Sequence, residues 1–160
     1  MDDGASIGLV IVTVLLVVVV AFSAVLPRLS RRTARRGART RMSKAVTDGS
    51  DAKRSAKDRA ASFVQAGRTA LEELESARLA ARYAEWAHKL EPADPEVLAL
   101  AVAALTKARR PHALERLLWV SLDAAVEPKS SAALTALTVL YDGGLHRPER
   151  ARALRKLSGG

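Results

Sequence analysis

The 160-residue chain has no cysteine, which excludes disulfide staples, thiolate metal centres and a thiol nucleophile. Aromatic residues make up only 4%. A core must therefore be filled by Ala, Leu and Val, and with abundant Glu, Lys and Arg this favours helices packed through small side chains. The three histidines, His88, His112 and His146, are too widely spaced for a zincin-type metal site and read as surface or loop residues. No phosphate-binding loop, dinucleotide fingerprint or nucleophile elbow occurs. No catalytic residue, metal or cofactor is expected, and the chain does not read as an enzyme. No acid lies between Asp3 and Asp48, and residues 7–26 carry no charge of either sign.

Those last two absences organise the chain. As a helix rising about 1.5 Å per residue, residues 7–26 span roughly 30 Å, the thickness of a bilayer's hydrocarbon core. A single transmembrane helix is expected there, behind a short acidic segment, residues 1–6. The acidic start "MDDGAS" and the length of the apolar run argue against a cleaved signal peptide.

The net charge of +9 is concentrated. Eight cations, Arg28, Arg31, Arg32, Arg35, Arg36, Arg39, Arg41 and Lys44, follow the apolar run, whereas from Asp48 onward eighteen cations face fifteen acids. Cytoplasmic flanks of membrane helices are enriched in Lys and Arg. The expected orientation is N-terminus outside and C-terminal domain cytoplasmic. The Ala- and Arg-heavy composition suits a bacterial inner membrane, with an organelle outer membrane as the alternative.

Arg28, Arg31, Arg32, Arg35, Arg36 and Arg39 also fall on one helical stripe and can meet anionic lipid headgroups. A tether for nucleic acid through the same block is the weaker alternative, because no aromatic for base stacking lies between Phe22 and Phe63.

Residues 27–50 read as a basic juxtamembrane segment ending in a hinge near 47–50, and residues 51–160 as an all-α domain. Apolar periodicity and proline punctuation predict helices over 51–74, 76–90, 95–108 and 111–126, then a third unit with a Gly143-Gly144 turn and a last helix from Pro148. Glu72, Glu73 and Glu75 read as a solvated face paired with Arg68 and Arg78. Trp86 and Trp119 read as anchors of hairpin cores.

The stretch "AHKLEPADPEVLALAVAAL" carries more. Ala87, Leu90 and Pro92 close one helix, Asp94 caps the next, and Pro95 opens it. With Pro92 as a terminal proline, Ala80 and Ala87 fall at small-residue positions and Leu71 at a large first-helix position. This pattern resembles the tetratricopeptide repeat. The match is clearest over residues 61–94, where Gly67 falls one place early, and extends more loosely to about Leu157, with the second unit out of register.

The resemblance implies a short antiparallel hairpin array with a binding groove lined by first helices. On this register the groove residues are Gln65, Thr69, Glu72 and Glu73, then Glu96, Ala99, Ala103 and Thr106, then Thr135 and Val139. The family's basic clamp for a carboxylate is missing, so an apolar helix or peptide is the expected ligand. The layout predicts a membrane-anchored adaptor or scaffold. The alternative is an accessory subunit packed within a larger membrane complex, and self-association is left open.

Overall fold

The computed structural model describes residues 33–125 and 132–157. The expected membrane helix, residues 7–26, and Arg28, Arg31 and Arg32 lie outside them. Among the described residues no helix is long and apolar enough to cross a membrane, and all regular structure is helical, as the all-α expectation holds. The chain divides into two compact units, Met1–Gly37 and Ala38–Gly160.

Residues 33–50 form helix α1. Met42, Ala45, Val46 and Gly49 recur at steps of three, one and three, and this second stripe is apolar where the other is cationic. Ala45 is buried in the core, with Met42 and Val46 packed on it. Gly49 lies so close to Phe63 that a Cβ there would fall 2.9 Å from the ring. The Arg59 Nε donates to the Gly49 carbonyl at 3.0 Å, and Arg41 pairs with Glu73. These contacts run α1 antiparallel along α2.

The hinge expected at 47–50 is therefore corrected: those residues are helical, and the break falls at 51–55. The compact unit likewise begins at Ala38 instead of 51. The arginines drew attention to one face of α1 and hid the packing face behind it.

Helices α2 (Ala56–Glu72), α3 (Ala77–Leu90), α4 (Pro95–Lys107) and α5 (Pro111–Asp123) follow, then α6 (Ala132–Val139), a π-helical turn (Leu140–Gly144) and α7 (Pro148–Leu157). Two starts are capped. The Ser55 hydroxyl accepts from the Asp58 N–H at 3.1 Å, and the Asp94 carboxylate accepts from the N–H groups of Glu96 (2.7 Å) and Val97 (3.3 Å) ahead of Pro95 at the first helical position. Each such cap is worth about 1 kcal/mol.

Sequential helices pack as neighbours, and in addition α2 touches α4 and α4 touches α6. This is a stack of hairpins, α2/α3, α4/α5 and α6/α7, in which each first helix meets the next first helix. Close approach follows from small side chains. Ala80, Ala84 and Ala87 are fully buried on α3, and Gly67 on α2 admits Leu100, whose Cδ2 would lie 2.5 Å from an added Cβ. Val97, Leu105, Leu118, Leu137 and Tyr141, the largest fully buried side chains, fill the second and third hairpins.

The backbone reveals a period that side-chain register obscured. Glu75, Arg109 and His146, with φ of 54°, 54° and 50°, sit in the left-handed region that favours glycine. Each closes the turn inside one hairpin, two residues before the second helix begins. Thirty-four residues separate Glu75 from Arg109, and 37 separate Arg109 from His146. At the middle turn the Arg110 N–H bonds the Leu105 carbonyl and the Arg109 N–H that of Thr106, both at 3.0 Å, a C-capping pattern that satisfies the last carbonyls of α4. The third unit is longer because its first helix ends in the π turn. There Leu145 and Arg147 donate to the carbonyls of Leu140 (2.9 Å) and Tyr141 (2.7 Å). Gly143 and Gly144, expected to form a plain turn, belong to it.

Candidate functional site

On α4 the buried positions are Val97, Leu98, Leu100, Ala101, Ala104 and Leu105. Outward lie Pro95 and Lys107 at its ends and, between them, a stripe of Glu96, Ala99, Ala103 and Thr106. The same logic leaves Ala61, Gln65, Arg68 and Glu72 outward on α2, and Ala132, Thr135 and Val139 on α6. Arg68 and Glu96 form an ion pair at 3.1 Å that joins the first two stripes. With both partners exposed it contributes at most about 1 kcal/mol, so its role here is positional. Beyond Glu96 the first-helix face thus changes along the array, from polar and charged on α2 to small side chains on α4 and α6, ending at Val139, which is 66% exposed.

Of the groove residues expected from sequence, Gln65, Ala99, Ala103, Thr106 and Thr135 lie on this exposed face. Thr69 does not. It is 8% exposed, and its hydroxyl donates to the Gln65 carbonyl at 3.0 Å, one helical turn back. Glu73 is exposed but engaged by Arg41 of α1. Of the pairs expected for the acidic cluster, Arg68 is engaged instead by Glu96. Arg35, Arg36 and Arg39 are exposed on α1.

The second helices carry what sequence reasoning missed. His88, expected at the surface, is buried on α3, where its Nε2 lies 2.8 Å from the Ser121 hydroxyl of α5. Burial lowers its pKa below 6.5, opposed by a hydrogen bond to the Leu117 backbone. His112 and His146 are exposed as expected. Trp86 is half-buried, edge-on to Phe63 (5.4 Å) and Tyr83 (5.7 Å), with the Arg82 guanidinium 4.6 Å above it. Trp119 is not a core anchor. It is 44% exposed, and its indole N–H donates to the Tyr141 hydroxyl at 3.2 Å.

That hydroxyl in turn donates to Glu115 Oε1 at 2.6 Å. Arg150 (3.6 Å), His112 (3.6 Å) and Arg147 (4.0 Å) surround the same carboxylate. The tyrosine hydrogen bond is the main reason the Glu115 pKa is lowered, and the three basic groups add to it against the opposing effect of burial. The network ties α5 to the π turn and α7. Among the described residues no buried side-chain polar atom lacks a partner.

No family model matches the chain, and comparison with curated proteins and with solved structures finds no match. The functional reading therefore rests on the chain's own geometry.

Proposed function

We propose that this chain is a membrane-tethered adaptor whose tetratricopeptide-like hairpins hold another protein. In this reading residues 7–26 cross the bilayer, the arginines that follow fix the N-outside orientation and contact anionic headgroups, and the first-helix face takes an amphipathic helix or peptide. The supporting observation is the exposed stripe Glu96, Ala99, Ala103, Thr106 of α4 next to Thr135 and Val139 of α6. Successive steps of three, four and three are those at which a docked helix presents its anchors. Methyl-sized side chains at Ala99 and Ala103 let a second backbone approach closely, and among the described residues both are exposed.

Ala99→Arg and Ala103→Glu test the reading. Both positions are exposed, so helicity should survive while co-purification of the partner is lost. Binding that persists undiminished in both variants would remove the first-helix face from consideration.

The accessory-subunit reading draws support from the absence of a hinge at 47–50, since the helix entering the domain is packed along α2. Purification in mild detergent separates the two. Stoichiometric membrane subunits would favour the accessory role, and a soluble partner released by salt or dilution the adaptor role.

A further inference from the structure

The turn between α4 and α5 and the π turn border a partly open cavity of about 220 Å³. Leu105, Leu114, Leu140 and Pro111 form its apolar walls, and Thr106, Arg109 and Arg110 stand at its rim. No acid lines it. Arg110 is shared with Glu85 at 2.9 Å, whereas the Arg109 guanidinium makes no hydrogen bond or ion pair among the described residues.

One feature sets this place apart from the corresponding turn of the first hairpin. The π turn that forms one wall is the extra length of the third unit, and its Gly144 leaves space that a Cβ could occupy only by displacing Leu140, 2.8 Å away.

We propose that this cavity binds an alkyl carboxylate, with the chain among Leu105, Leu114 and Leu140 and the carboxylate at Arg109 and Arg110. The volume is roughly the liquid volume of seven waters, which suits a tail of about five or six carbons. The Arg109 guanidinium, with Arg110 beside it shared with Glu85, selects a carboxylate over a neutral or cationic head group. The same chemistry is offered by a free short acyl acid and by the last residue of a protein chain ending in leucine.

The test is an NMR titration of the full-length chain in nanodiscs with the leucine methyls labelled. Probes are hexanoate, N-acetyl-leucine, and hexylamine as the wrong-charge control. Saturable shifts at Leu105, Leu114 and Leu140 are expected with hexanoate or N-acetyl-leucine, and none with hexylamine. The tighter of the two acids identifies the source. Arg109→Gln should weaken binding about tenfold. Thr106→Phe, at an exposed position, should block the mouth and abolish binding with the spectrum otherwise unchanged. The proposal is overturned if hexylamine binds as well as hexanoate, if neither acid saturates the methyl shifts, or if both variants bind like the unaltered chain. These outcomes do not depend on whether the first-helix face binds a protein.

Discussion

Lowering the pH from about 7.5 to about 5.5 should weaken the fold through His88. This imidazole is 7% exposed and bridges α3 to Ser121 on α5. Burial disfavours its charged form and places its pKa below 6.5. An unfolded chain takes up the proton near pH 6.5 and the folded chain resists, so the unfolded state binds more protons in the interval between the two values. Stability from neutral His88 is therefore fully present above pH 6.5 and is lost as the pH falls toward the folded value.

The slope cannot exceed about 1.4 kcal/mol per pH unit for one proton. The loss between pH 7.5 and 5.5 is thus bounded at about 1.4 kcal/mol, or roughly 5 °C in Tm for a unit of this size. Thermal melts followed by far-UV circular dichroism measure it. His88→Gln keeps a hydrogen-bonding group and removes the titration, so it should lower stability at pH 7.5 by about 1 kcal/mol and flatten the pH dependence below 6.5. An equally steep decline in the variant, or an unaltered chain that gains stability on acidification, would refute the argument.

Other perturbations probe the remaining contacts. Ala45→Asp places a charge in the α1–α2 seam and should cost at least about 2 kcal/mol, and a chain cut to begin at residue 51 should melt below one beginning at 38. Equal stability of those two would dissociate α1 from the fold. Gly67→Val should destabilise by about 1–3 kcal/mol through collision with Leu100, visible as a lower urea midpoint. Tyr141→Phe removes the hydroxyl that links Trp119 to Glu115, for a loss of about 1–3 kcal/mol. It should also raise the Glu115 pKa, followed by the side-chain carboxyl NMR shift, because that hydroxyl is the principal cause of its depression.

Much of the architecture could be read from punctuation. Pro95, Pro111 and Pro148 sit at the first positions of α4, α5 and α7, because a proline there loses no helical hydrogen bond. Exposed Ala99, Ala103 and Thr135 followed from the register that the tetratricopeptide resemblance implies. Other features were hidden for identifiable reasons. The packing stripe of α1 consists of Met, Ala, Val and Gly, weak apolar signals beside a dense row of arginines. The regular turn period rests on Glu75, Arg109 and His146, none of which is the residue type that announces a left-handed turn. Thr69 and Ser121 look like surface residues by composition, yet Thr69 bonds its own helix one turn back, and Ser121 bonds a buried histidine 33 residues away, a contact that local spacing does not display. The π turn is not encoded by Gly143-Gly144 in any way distinct from an ordinary loop.

The central claim is that the first-helix face is the binding surface, and site-specific photocrosslinking in cells tests it most directly. A photoreactive amino acid placed in turn at Ala99, Ala103 and Thr135, and at Lys89 and Arg116 on the second-helix side, samples both faces of the same array without disturbing its core. The account predicts one discrete adduct of common mass from the three first-helix positions, absent from the other two. Adducts that form only from Lys89 and Arg116, or equally from all five positions, would contradict it.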